Sequence, residues 1–123
     1  MAKGKVSPEL IEQFKQIVGE KYVYTDKDKL EPYSHYMKEP QVVVLPATTE
    51  EVSKVVKLCY ENDTVMVPRA AGTGLAAGAV ATFGGVIISI ERMNKILEID
   101  KDNMVCVSEA GVTTSVLQDA VQK

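Results

Sequence analysis

A single histidine, two cysteines and the absence of any long apolar run leave several functions without the residues they need. His35 stands alone between Tyr33 and Tyr36, with no second histidine to share a metal. It reads as a packing or surface residue, and no metal centre or catalytic set is assigned. Cys59 and Cys106 fall on a helix and a strand with no metal-like spacing, so each reads as a buried, reduced thiol, which fits a cytoplasmic protein. No stretch approaches the roughly 18 apolar residues of a membrane span. Lys3 and Lys5 are not followed by an apolar run, so the start is not a secretory signal. Basic charge is short as well: 14 Lys and Arg against 17 Asp and Glu give a net charge of −3. That balance disfavours nucleic acid and anionic membranes as partners. An anionic ligand must then be met by local donors.

What is present suits one globular domain. The chain has 123 residues, of which 46% are hydrophobic and 25% charged, enough for a core of its own. Ser7 as cap, Pro8 and Glu9 open a helix whose apolar face is Leu10, Ile11, Phe14, Ile17 and Val18, closed by Gly19. Tyr22 to Tyr24 suggests a short strand, and Thr25 to Pro40 reads as a surface connection without secondary structure. Val42 to Leu45 is an apolar run, as in a strand buried on both faces. Thr48 and Glu51 form a capping box for a helix with Val52, Val55, Val56 and Cys59 inward. Val65 to Val67 completes a β-α-β unit, which predicts a right-handed crossover between parallel strands. Val86 to Ile90 is a further buried strand. Lys95–Asp100 and Met104–Glu109 read as an antiparallel hairpin about Lys101, Asp102 and Asn103. A helix capped by Thr113 follows and meets no Gly or Pro stop, which predicts a truncated chain. The fold class is α+β with a small mixed sheet, divided as an N-terminal helix and connecting segment over 1–40 and a second unit over 41–123.

The sequence turns on Pro68-Arg69-Ala70-Ala71-Gly72-Thr73-Gly74-Leu75-Ala76-Ala77-Gly78-Ala79, which leaves the carboxyl end of a strand. Small side chains let a ligand approach the main chain, and successive N–H groups make an anion site. One reading is a flexible small-residue connection. A second is a nicotinamide-type Rossmann fingerprint: Gly72-Thr73-Gly74-Leu75-Ala76-Ala77 fits G-x-G-x-x-A, and Glu91 lies about 20 residues on, where a ribose-binding carboxylate belongs. Against it, four residues separate the strand from Gly72, and only Leu75 to Phe83 remain for a crossover helix that needs about a dozen residues.

A third reading comes from the wider pattern. The loop is accompanied by Val44-Leu45-Pro46 with Thr49-Glu50-Glu51-Val52, by Gly84-Gly85-Val86-Ile87-Ile88-Ser89, by Arg92-Met93-Asn94 and by Glu109-Ala110-Gly111-Val112. Together these resemble the FAD-linked oxidases of the vanillyl-alcohol oxidase type, with a PCMH-type FAD-binding domain. Within them the match is to the D-lactate dehydrogenase and glycolate oxidase catalytic subunit group, from about Leu30 onward.

The resemblance implies that the second unit is the first half of the FAD-binding domain. Pro68, Arg69, Ala70, Ala71, Gly72, Thr73 and Gly74 would line the FAD pyrophosphate, with Gly78 and Ala79 near the flavin end. Ala70 and Ala77 stand where the family most often has glycine, a cost of roughly 1 kcal/mol if either backbone angle is positive. Thr73 occupies the place of the histidine that tethers flavin in covalently flavinylated members, which implies non-covalent FAD. The parent protein would oxidise a D-2-hydroxy acid of lactate or glycolate type by hydride transfer to flavin, with base and substrate-binding residues downstream. The chain alone would be inactive, would hold FAD weakly or not at all, and would self-associate through its truncated edge. A stand-alone nucleotide-binding or interaction module would instead be a soluble monomer.

Overall fold

The computed structural model describes residues 5–123. Helix α1, Pro8–Val18, begins as its sequence dictates: the Ser7 hydroxyl accepts from the Leu10 N–H at 3.2 Å. Leu10, Phe14 and Val18 are buried. Gly19, at φ 96°, ends the helix and donates to the Lys15 carbonyl.

Strands β1 (Val23–Tyr24), β2 (Val42–Val44), β3 (Met66–Arg69) and β4 (Val86–Ser89) form one sheet in the order β1-β2-β4-β3. β4 runs parallel to both β2 and β3, and β1 pairs antiparallel on β2. The two strands flanking the predicted crossover are parallel but do not touch, because β4 lies between them, with Val43 and Val67 both in register with Ile87. Unbroken β-branched runs in β2 and β4 reflect burial on both faces. Val42, Val44, Val86 and Ile88 meet α1 and helix α3 (Thr49–Glu61). Val43, Ile87, Leu45 and Val67 meet Leu30, Tyr33 and Ala81 on the opposite face.

That second layer corrects the expectation of a structureless connection. Lys27–Leu30 is a short helix, α2, and Glu31–Tyr33 continues it as a 3-10 turn. Leu30 and Tyr33, three residues apart, share one side of this turn and plug the sheet face. In α3 the Thr48 hydroxyl accepts from the Glu51 N–H at 3.1 Å, and the Glu51 carboxylate accepts from the Ala47 N–H, one residue before the cap. Val55 and Cys59 point inward and Val52 is half-buried. Val56 is exposed on the helix flank, with Leu58 packed on the core in its stead.

Strands β5 (Ile96–Asp100) and β6 (Val105–Ser108) pair antiparallel as expected, but as a separate two-stranded sheet. The Asp100 carboxylate closes their turn by accepting from the main-chain N–H of Asn103 at 3.0 Å and its side-chain amide at 2.7 Å. Those bonds hold the Asp100 carboxyl below its ordinary range. Cys106, expected to be buried, is exposed on this hairpin, whereas Cys59 lies in the core, where burial pushes its thiol up to about 11. Helix α4, Thr114–Val121, follows Thr113, which holds the cap position without a side-chain capping bond. No described residue after Ser89 is buried.

Candidate functional site

The glycine-rich loop leaves the carboxyl end of β3, where Arg69 pairs with Ser89 of β4. Pro68 is exposed on the strand, Arg69 and Gly72 are half-buried, and the loop runs outward until Ala79 turns back toward the body. From Ala70 to Gly85 the chain makes bends and turns but no helix. A dinucleotide fingerprint must open directly into a helix whose N-terminus faces the pyrophosphate. The Rossmann alternative therefore fails on the backbone.

Among the described residues, no main-chain N–H from Ala70 to Ala79 donates to an acceptor in the chain. The first returning bond is from Val80 to the Ala77 carbonyl at 3.1 Å. A stretch of main chain with every donor uncommitted is the property an anion site requires.

The glycines divide by what they meet. Gly72 has φ 72°, and a β-carbon there would stand 2.5 Å from the Arg69 guanidinium carbon. The backbone angle thus requires glycine, while the guanidinium, at the end of a flexible side chain, could move aside. Gly74 and Gly78 have neither a positive φ nor a chain atom within 4 Å of such a carbon. Their small size serves nothing within this chain. Ala77 is at φ 60°, the strained case anticipated for it, whereas Ala70 is not.

Arg69 is the anchor of the loop. Its guanidinium lies 4.8 Å over the Tyr33 ring, bonds His35 Nε2 at 2.8 Å and donates to the Pro32 carbonyl at 3.4 Å. The side chain therefore turns back into the protein, beneath Gly72, instead of reaching along the loop. Tyr33 donates its hydroxyl proton to the Glu91 carboxylate, which also accepts from Ser89 Oγ at 3.2 Å. Burial, with the Glu91 carboxylate beside it, holds the Tyr33 phenol far above its ordinary range. Glu91 is thus committed to a structural bond instead of being presented to a ribose.

Beside Arg69 opens a cavity of about 490 Å³, walled by Tyr33, Ala70, Ala71, Glu91 and Asn94, and on its far side by Gly111, Val112, Thr113 and Val116. Gly111 brings the two sides together: its N–H donates to the Met93 carbonyl at 2.8 Å, and a β-carbon would collide with the Ile90 carbonyl oxygen. Sequence reasoning missed Tyr33, His35, Asn94 and Thr113 as neighbours of the loop. The available signal was Arg69 itself, a cation among small residues that needs partners to hold it.

The family described as FAD binding domain matches residues 40–123. A D-lactate dehydrogenase of Anaerostipes hadrus is 43% identical over 126 residues, covering 98% of this chain and 26% of the relative. Glycolate oxidase subunit GlcD of Bacillus subtilis (strain 168) is 37% identical over 87 residues, covering 71% of this chain and 18% of the relative. The crystal structure of p-cresol methylhydroxylase with substrate bound superposes with a TM-score of 0.78 at 27% identity, over 93% of this chain and 24% of that one. The chain thus spans about a quarter of the length of the D-lactate dehydrogenase it matches.

Proposed function

The chain belongs to the FAD binding domain family, and on that premise we propose that its glycine loop holds the pyrophosphate of a non-covalently bound FAD within a longer D-2-hydroxy-acid oxidoreductase. The observation that carries this is the run of uncommitted N–H donors from Ala70 to Ala79 at the carboxyl end of β3. Such donors neutralise a pyrophosphate without a surplus of lysine and arginine, which this acidic chain does not have. Pro68 and Arg69 contribute the strand end and the loop's footing, Ala70, Ala71, Gly72, Thr73 and Gly74 the donors, and Gly78 and Ala79 the return. Leu75, 98% exposed on the same loop, offers an apolar contact to a ligand that joins a charged bridge to flat rings.

Thr73 supplies a hydroxyl donor but no ring nitrogen for attachment to flavin, which supports the non-covalent reading. Bound FAD supplies the redox chemistry, accepting a hydride equivalent from the substrate. The residues of this chain bind and orient it, and none is assigned a role at the reacting carbon. The hydroxy-acid substrate is inferred from relatives named D-lactate dehydrogenase and glycolate oxidase subunit. On this reading residues 1–40 are an N-terminal helix and connecting segment and 41–123 the first half of the FAD-binding domain. Apolar side chains left open on β5, β6 and α4, among them Leu97, Val105 and Val116, support self-association of the isolated chain. The free thiols of Cys59 and Cys106 support a reducing, cytoplasmic setting. No described helix is long and apolar enough to cross a membrane.

The test is ligand discrimination by titration. FAD should bind in preference to riboflavin, which lacks the pyrophosphate, and acid precipitation should release all flavin into the supernatant. Riboflavin binding as tightly as FAD, or flavin retained in the precipitate, would contradict the proposal.

A further inference from the structure

We propose that Gly111 is a positioning residue: its close contact with the Ile90–Met93 turn sets the spacing of the two segments that line the cavity, and with it the grip on the hydroxyl-bearing part of a ligand whose pyrophosphate the loop holds. The ligand step rests on the cofactor reading above; the spacing of the segments does not.

The spacing is carried by main chain alone. At the root of the loop the Arg69 carbonyl accepts from the Ile90 N–H at 3.0 Å. The Ile90 carbonyl accepts from the Met93 N–H at 2.9 Å, and the Met93 carbonyl from the Gly111 N–H at 2.8 Å. Gly111 lies against both of these carbonyl oxygens. A β-carbon there would collide with that of Ile90 and stand 2.7 Å from that of Met93. Gly111 does not have a positive φ, so space and not backbone angle calls for glycine. Each obstacle is a main-chain oxygen already engaged in a hydrogen bond, and neither can swing aside as the end of a side chain would. An added methyl group must push the two turns apart.

Each turn carries part of the lining. Glu91 and Asn94 belong to the first segment, and Gly111, Val112, Thr113 and Val116 to the second. No core packing holds the second segment independently, because no described residue after Ser89 is buried. Among the described residues no hydrogen bond joins 96–123 to the four-stranded sheet. The bonds beside Gly111, from the Glu109 N–H to the Lys95 carbonyl and from the Lys95 N–H to the Glu109 carboxylate, both 2.8 Å, reach the same connecting stretch.

The Asn94 amide and the Thr113 hydroxyl, one on each segment, line the cavity without a side-chain partner among the described residues. Two such groups hold a sugar or polyol only at the right separation, and a displacement on the order of 1 Å breaks a hydrogen bond. FAD carries hydroxyls on both sides of its pyrophosphate, on the ribose and on the ribityl chain.

The experiment compares wild type, Gly111→Ala and Val116→Phe by amide chemical-shift mapping, with FAD and with inorganic pyrophosphate as probes. Without ligand, Gly111→Ala should shift the amides of 90–95 and 109–116 and leave those of β2 and β4 in place. Val116→Phe adds bulk to the cavity without touching the Gly111 contact. Both variants should bind pyrophosphate as the wild type does and lose FAD affinity roughly tenfold, the equivalent of one hydrogen bond. An ADP titration assigns the hydroxyls: a matching loss places the ribose in the cavity, and no loss places the ribityl chain there. FAD affinity unchanged in Gly111→Ala overturns the positioning role, and unchanged in Val116→Phe overturns the use of the cavity. Equal losses for FAD and pyrophosphate in Gly111→Ala, or loss of its β2 and β4 amides, would make the residue a general structural support and overturn the proposal. Failure of wild type to bind FAD, with the 90–95 and 109–116 amides still displaced in Gly111→Ala, overturns the cofactor reading and leaves the spacing role standing.

Discussion

The layers around the β1-β2-β4-β3 sheet and the hairpin with α4 are both drawn from regularly patterned, apolar sequence, yet only the first is a core. Val86, Ile87 and Ile88 are buried to 5% exposure or less, while Val105 and Val107, equally β-branched and equally strand-forming, are 53% and 43% exposed. Local pattern builds an element, but burial needs a second surface. β4 has α1 and α3 on one face and Leu30 with Tyr33 on the other; β5 and β6 have no covering layer among the described residues. The glycine-rich loop lies at the seam. It is rooted in the packed region through Arg69, and its cavity is also walled by Gly111, Val112, Thr113 and Val116 of the open region.

Truncating one side chain in each region is the largest test of this contrast. Ile87→Ala should cost about 2–5 kcal/mol in a denaturant titration, because neither face can collapse into the space. Val107→Ala should fall within about 0.5 kcal/mol of wild type, as an exposed substitution does. Equal costs would mean that the hairpin is packed as tightly as the sheet.

Next comes Gly72→Val. It places a β-branched residue at positive φ and drives its β-carbon into the Arg69 guanidinium, a strain of about 1–3 kcal/mol, read as lowered thermal stability. Loss of FAD binding should accompany it. Gly74→Ala meets no chain atom within 4 Å, so any effect it has on FAD binding should come without loss of stability.

Much of the packed region was legible in sequence because its signals are local. The Ser7 and Thr48 caps and the unbroken runs of β2 and β4 each declare themselves within a few residues. Strand order is different. Nothing in Val86 to Ser89 says that it will slip between β2 and β3, since that pairing is decided over distances of more than 15 residues of chain. The α2 turn was missed because only Leu30 and Tyr33 anchor it, and their burial follows from a sheet face that must already exist. Cys106 was misread for the converse reason, an apolar strand pattern with no layer over it. At the site, the loop and its donors were legible from small residues after a strand. The Arg69–His35–Tyr33–Glu91 network was not, because its members lie on three separate segments with no common spacing.

Smaller effects sharpen the same contrast. Ala77 at φ 60° pays a left-handed penalty in the loop, so Ala77→Gly should stabilise the protein by about 1 kcal/mol in thermal unfolding. The two thiols should differ in reactivity with little change in stability. Cys106 is exposed and should alkylate readily at pH 8, whereas Cys59 is buried with its thiol raised to about 11 and should react only on unfolding. The thiolate of Cys59 is scarce at every pH below that value, so raising the pH from 7 to 9 should leave the difference in place.

The central claim is that the donors from Ala70 to Ala79 receive the pyrophosphate of FAD. Amide chemical-shift mapping during an FAD titration tests it residue by residue, and it detects weak binding as well as strong. The account predicts that the largest shifts fall on Ala70 to Gly74, with Gly78 and Ala79 following, and that riboflavin leaves the first group unmoved. Shifts confined to the hairpin or to α4, with the loop amides silent, would contradict it.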